Sequence, residues 1–401
     1  MIILLLIGAL SGAWLIGGII PTLVYYGLEL LNVNYFLIAT CIITAIVSLS
    51  IGSSWSTIAT IGIALLAIGK VLAVPTEITV GAIISGSYFG DKMSPLSDTT
   101  NLASAVTESD IFEHIKYMSY TTIPSFVITL VIFFIIGLNY ENSSLENLSY
   151  IQKTLDKTFN INPLILLTPL LVIFLIIKKI PAVASLFFAV LLGCLSTFIF
   201  QEELLVSLLQ SDSYLNKSEY YLLISSISTN FSIITENNSL NSLLSTSGMS
   251  GMLNTIWLVI SAMVFGGSMQ CAGIIKDISE FIKGNRNNDK NIVFKTVISC
   301  IFFNVTTADQ YLSIIVNGKI FKKNYIENKL SSLNLSRTLE DSGTVTSVLV
   351  PWNTCGATQS AILGVSTISY LPFCFFNLIS PIMTLIIAYY SFRIKKIIIK
   401  E

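Results

Sequence analysis

The sequence predicts an all-α polytopic membrane protein built from two inverted-topology repeats, each with a re-entrant helical hairpin and a broken transmembrane helix. Three observations predict it. Of 401 residues, 53% are hydrophobic and only 11% charged, a balance outside the range of soluble domains. Apolar runs of about 20 residues, enough to cross a hydrocarbon core of about 30 Å, recur along the chain. Polar residues interrupt apolar segments at four places, in the same order in both halves.

Residues 1–138 read as the first repeat: a spanning helix from Ile2 to Leu30, a hairpin over 35–73 whose arms meet at Gly52-Ser-Ser-Trp-Ser-Thr57, a broken helix over 77–105, and a helix over 115–138. Residues 139–251 connect the halves through helices 163–177 and 181–200 and a Ser-, Asn- and Leu-rich segment, 201–251, to which no activity can be assigned. Residues 252–401 read as the second repeat: helix 252–275, hairpin 291–319, broken helix 342–366, helix 371–392 and a tail. The arm from Asn291 to Val305 would be about 22 Å long as a helix. The arm after Gln310 reads as barely two turns before the lysines begin.

Orientation follows from the basic loops, which are retained in the cytoplasm. Lys178-Lys179, Lys276 to Lys290, Lys319 to Arg337 and Arg393 to Lys400 gather the positive charge, whereas 139–162 and 201–251 carry an acidic surplus. The tail is therefore expected in the cytoplasm. Both flanks of 291–319 are basic, which makes that segment a hairpin rather than a span. A net charge of −1 suggests no nucleic acid. The six cysteines lie in apolar segments without metal-type spacing and read as free buried thiols.

The most informative stretch is Gly86 to Asn101, where Asp91, Lys92, Ser97, Asp98, Thr99, Thr100 and Asn101 cluster around Pro95. An ionised side chain in hydrocarbon costs roughly 3 kcal/mol on insertion scales, so it needs a cavity, partner or ion. The second broken helix carries Glu340, Asp341, Asn353 and Thr354 around Pro351. Each proline removes an amide donor and clashes with the preceding turn, a local reason for a break. Broken helices leave carbonyls and half-helix ends free to meet ions near the midplane. Ser53, Ser54 and Thr57 at the first tip, and Thr307, Asp309 and Gln310 at the second, offer further oxygens, though small hydroxyl residues also let helices pack closely. Asp91 and Lys92 are neighbours in sequence and cannot face each other on a helix. Each is placed to pair with a group in the other half, Glu340 and Asp341 being the candidates.

GSYFGDKMSPLSDTTNLASA and NLSRTLEDSGTVTSVLVPWNTCGA resemble the two hallmark blocks of the NhaC type of sodium/proton antiporter, and TTADQY and IGSSWSTIATIG resemble the same family. The resemblance covers nearly the whole chain. It implies a secondary transporter of the bacterial inner membrane, not an enzyme, without cofactor, whose partners are the bilayer, the sodium ions and protons it carries, and in some cases a second copy in a homodimer. Roughly two hydrophobic segments that precede this point in the family have no counterpart here, so the chain looks shortened at its N-terminus.

Antiport needs a carboxylate that holds either a proton or a hard cation while the protein exposes it alternately to each side. Such a carboxylate must be less acidic than free aspartate, and desolvation in a bundle has that effect. Asp98 is the first choice, lying among hydroxyls and an amide with no basic neighbour in its half of the motif. Asp309 is the second, at the hairpin tip, and sodium is expected at these two. Asn353 and Thr354 read as counterparts of Thr100 and Asn101. His114, the one histidine, sits between Glu113 and Lys116 and reads as a solvated residue at the cytoplasmic mouth. Trp55 and Trp352 belong to the polar nodes, Trp14 and Trp257 to packing.

Three rival readings remain at this level. The same nodes could exchange an organic or amino acid, such as malate for lactate, with Lys92 or Arg337 holding its carboxylate. A shortened, non-transporting remnant is the second. An intramembrane enzyme is disfavoured, since one histidine excludes a two-histidine zinc motif.

Overall fold

The computed structural model describes residues 1–140, 145–178, 180–211, 214–215, 217–235, 240–241, 244–274, 277–278 and 289–397. Most of the basic stretch from Lys276 to Lys290 therefore lies outside the described residues, as do Lys179 and Lys400. The protein is a polytopic helical membrane protein with several bent or broken spans. Among the described residues, five helices are long and apolar enough to cross a bilayer, and up to eight if each bent pair is one span.

Helices α1 (Ile2–Ile16) and α2 (Ile19–Leu30) make the first expected span, bent by 69° where Gly18 turns left-handed. Next come α3 (Val33–Ile51) and α4 (Ser54–Val71), the hairpin arms, each long enough to cross. Then follow α5 (Thr76–Met93) and α6 (Asp98–Thr107), the two halves of the first broken helix, and α7 (Ile111–Leu138). The connecting region holds α8 (Leu145–Thr158), α9 (Leu167–Ile177), α10 (Ala182–Phe200), α11 (Glu202–Leu209), α12 (Glu219–Ser228) and a two-stranded ribbon, Phe231–Ser232 against Ser245–Thr246.

The second half runs through α13 (Leu253–Cys271), the hairpin arms α14 (Asp289–Thr306) and α15 (Gln310–Glu327), then α16 (Ser332–Leu339) continued by a π turn at Glu340–Thr344 and a 3-10 turn at Ser347–Leu349. After the break come α17 (Thr354–Leu363), α18 (Thr367–Tyr370) and α19 (Phe375–Tyr389). Arm α15 is a helix of 18 residues rather than two turns. Its lysines do not stop it: Lys319 and Lys323 lie on the exposed side, while Ile314, Gly318, Phe321 and Tyr325 keep a buried stripe at helical spacing. The second broken helix likewise begins at Ser332, ten residues earlier than polarity suggests, because Arg337, Glu340 and Asp341 are buried instead of solvated.

The two halves repeat their backbone turns at one spacing. Left-handed residues stand at Gly52, Ala73 and Glu108, and again at Ala308, Lys329 and Gly364, each 256 positions on. The extended N-caps Ser53 and Asp309 follow the first pair, and Ser97 and Asn353 close the two breaks. By this register Asn353 and Thr354 correspond to Ser97 and Asp98, not to Thr100 and Asn101.

Packing interlocks the halves. Arm α3 lies along α5, where Gly86 and Gly90 leave no room for a side chain: a Cβ would stand 2.1 Å from the Cys41 carbonyl oxygen and 2.2 Å from that of Ala45. Helix α6 then packs on α15 of the other half, and α17 packs on the π turn of α4, Ile58–Gly62. All six cysteines are free; four are buried, Cys194 is half-buried and Cys271 is exposed on α13. Trp14 is buried, but Trp257, expected in the packing, is 71% exposed, since it lies on the bare face of α13.

Candidate ion-binding site

Both hairpin tips and both breaks are built by capping. After the left-handed Gly52, the Ser53 hydroxyl accepts from the Ser56 amide at 3.2 Å. After Ala308, the Asp309 carboxylate accepts from the Leu312 amide at 2.9 Å. In the first break the Asn101 amide donates to the carbonyls of Pro95 (2.9 Å) and Ser97 (2.7 Å), and the Thr100 hydroxyl to that of Lys92 (3.0 Å). In the second, Asn353 accepts from the Cys355 amide and donates to the Asn304 carbonyl, both at 3.0 Å. The Thr354 amide donates to the Ala308 carbonyl at 2.8 Å. Each break is thereby tied to the tip of its own hairpin, the first through the close approach of Gly52 to Leu96 and Ser97.

Between the first tip, the first break and the start of α15 lies a cavity of about 300 Å³, lined on its polar side by Ser53, Ser56, Asp91, Ser97, Asp98, Thr99, Gln310 and Tyr311. The lining therefore combines tip, break and the start of α15 from the other half. Asp91 is buried and anchored: its carboxylate accepts from the Ser54 amide at 3.0 Å and the Ser54 hydroxyl at 2.7 Å. Asp98, the first residue of α6, faces open space and also lines an adjoining cavity of about 440 Å³. The N-termini of α4 and α6, capped by Ser53 and Ser97, both bear on this region.

Of the residues singled out in the sequence, the cavity gathers Ser53, Ser97, Asp98, Thr99, Gln310 and Asp91, with Ser54 behind Asp91. It does not gather the rest. Thr57 and Thr307 donate to carbonyls of their own helices, Ser53 and Phe303. Asp309 is half-buried and serves as the α15 cap, and Asn101, Thr100, Asn353 and Thr354 hold the breaks together. Tyr311 was missed, although it is the last residue of TTADQY.

A second set of charges lies apart from the cavity. Lys92 pairs with Asp341, both fully buried, and Asp341 also accepts from the hydroxyls of Thr384 and, at 3.4 Å, Ser380. Glu340 is buried with neither oxygen hydrogen-bonded among the described residues. Neither ring nitrogen of His114 has a hydrogen-bond partner among them. That histidine is fully buried rather than solvated; on α7 it shares the inward face with Tyr117, Met118 and Thr121, while Glu113 and Lys116 point outward.

A family model described as the Na+/H+ antiporter family matches residues 86–392, a span holding the first break, the second hairpin and the second broken helix. The chain belongs to that family. Among its curated relatives, the Na(+)/H(+) antiporter NhaC of Alkalihalophilus pseudofirmus is 36% identical over 394 residues, 98% of this chain and 82% of the relative. The Na(+)/H(+) antiporter NhaC of Bacillus subtilis is 35% identical over 390 residues, 97% of this chain and 83% of the relative. The malate-2H(+)/Na(+)-lactate antiporter of Bacillus subtilis is 37% identical over 390 residues, 97% and 80% of the two chains.

Within this antiporter, Ser54 offers a direct probe of the cavity. Ser54→Ala removes one of two hydrogen bonds to the Asp91 carboxylate, a contact worth roughly 1.5 kcal/mol. The sodium concentration giving half-maximal flux should rise about tenfold, with thermal unfolding moved by no more than a few degrees; concentration series of flux alongside melting curves check both.

Proposed function

We propose that sodium and protons compete for the carboxylates of the cavity between Asp91 and Asp98, and that this competition is the exchange. The chain is a secondary antiporter of sodium and protons in a bacterial inner membrane. The observation that carries the site is the cavity itself, in which two aspartates, three or more hydroxyls and the Gln310 amide from the other half converge. Sodium is a hard cation that takes oxygen ligands, and these side chains together with the carbonyls of the break provide them.

The repeated turns at one spacing support an internal repeat, and the distribution of basic loops supports its inversion, with the tail in the cytoplasm. In that arrangement each hairpin tip and break reach the midplane from opposite sides, and rocking of one bundle against α7 and α19 alternates access.

Malate and lactate exchange by a relative raises a second reading. An organic anion would need a cation in the cavity. Lys92 is committed to Asp341, and the Arg337 guanidinium rests 4.7 Å from the centre of the Tyr117 ring; the cavity's own charged lining is two carboxylates. The arrangement therefore favours a cation.

The test is a pH dye inside proteoliposomes holding the intact protein. Sodium added outside should move protons in the opposite sense, and potassium should not. A response to malate with none to any cation would replace this reading with organic-acid exchange.

A further inference from the structure

At one end of α7 lies a cavity of about 420 Å³ that shares no lining residue with the ion cavity and is lined by Glu113, Lys116, Tyr117, Tyr120, Leu333, Arg393, Ile394 and Lys395. We propose that it holds the phosphate headgroup of an anionic phospholipid, with Lys116, Arg393 and Lys395 as the basic partners. Three cations face one carboxylate. Glu113 lies 3.4 Å from the Lys395 ammonium, so the lining carries a surplus of positive charge. Arg393 is held in place over the Tyr120 ring, 4.9 Å from its centre, which pre-orients its planar donors for phosphate.

A lipid rather than a soluble anion follows from what continues out of the cavity. Lys116, Tyr120, Ile123 and Val127 lie on one face of α7 at helical spacing, and the last three are 36%, 50% and 52% exposed. That face is apolar beyond Tyr120. A headgroup seated at Lys116 would lay its acyl chain along Ile123 and Val127, the pairing of basic pocket and apolar wall by which membrane proteins select anionic lipids.

The position gives the lipid mechanical leverage. The tail that supplies Arg393 and Lys395 is strapped to α7 on one side, where the Tyr117 hydroxyl donates to the Arg393 carbonyl and accepts from the Lys395 amide. On the other side the Lys395 carbonyl accepts from the Ser331 amide at 2.9 Å and the Asn334 side chain at 2.7 Å, and the Ile397 amide donates to the Lys329 carbonyl at 2.8 Å. A bound phosphate would therefore clamp α7 to the turn that starts the second broken helix.

Native mass spectrometry of the detergent-purified full chain, offered phosphatidylglycerol and phosphatidylcholine of equal chain length, tests this. The intact protein should retain phosphatidylglycerol in preference. Each basic side chain near a membrane surface contributes about fivefold, so Lys116→Gln/Arg393→Gln/Lys395→Gln should lose about 100-fold in retention. Glu113→Gln should gain, an outcome that misfolding cannot produce. Undiminished retention by the triple variant, or no gain from Glu113→Gln, would overturn the proposal; so would complete displacement of the lipid by inorganic phosphate, which would make this a site for the free anion.

Discussion

Asp98→Asn should abolish sodium-driven proton movement, lowering it at least about 100-fold, while leaving the protein folded. The two halves of that expectation have separate grounds. Asp98 faces the cavity and makes no hydrogen bond among those seen for the described residues, so asparagine, which has its shape, removes no structural contact. The amide cannot ionise, however, and a site that needs a carboxylate to choose between Na+ and H+ loses the choice. A 100-fold loss corresponds to about 2.8 kcal/mol, within the range of one charge-assisted contact. Flux of the pH dye in proteoliposomes measures the first half and melting temperature the second. Flux within a factor of two of the intact protein would remove Asp98 from the mechanism and leave Asp91 as the exchanging group. Asp309→Asn is expected to act differently. Its carboxylate caps α15, and asparagine caps almost as well, so flux should persist.

How much of this site could be read from the sequence depends on the range of the interaction. The two breaks were legible because Pro95 and Pro351 act on their own backbone, and the hairpin tips because polar residues in an apolar run are conspicuous. The pairing of Lys92 with one of two acidic residues in the other half was legible as a requirement of burial, though Asp341 could not be chosen over Glu340. The register between the halves was hidden. Of the six left-handed residues that mark it, only Gly52 and Gly364 are glycine; Ala73, Glu108, Ala308 and Lys329 adopt the same backbone with a side chain that gives no sign of it. The Ser54 to Asp91 contact was hidden because it joins two helices. His114 was misread because adjacent charges dominate a linear reading, whereas on a helix neighbours in sequence point in different directions. The length of α15 was misread for the same reason, its lysines sharing one face and its apolar residues another.

The largest effect on stability should come from the Lys92–Asp341 pair. Both side chains are fully buried, one on α5 and the other in the π turn that follows α16, with Ser380 and Thr384 of α19 completing the carboxylate's hydrogen bonds. The pair thus bolts the first half to two elements of the second. Removing one partner leaves an uncompensated charge in a low-dielectric interior, which costs about 3–5 kcal/mol. Lys92→Met and Asp341→Leu should each lower the melting temperature by many degrees in detergent. Replacing both at once removes the charges together, and apolar side chains of similar volume are often neutral at such sites. The double variant should therefore recover most of the lost stability. Its flux then separates two roles that the geometry alone combines. With the ions exchanging at Asp91 and Asp98, sodium-dependent flux in the double variant should stay within about tenfold of the intact protein. Recovered stability with flux still absent would mean that the pair itself opens during transport, and that the proton path runs through Lys92 and Asp341 rather than ending at the cavity.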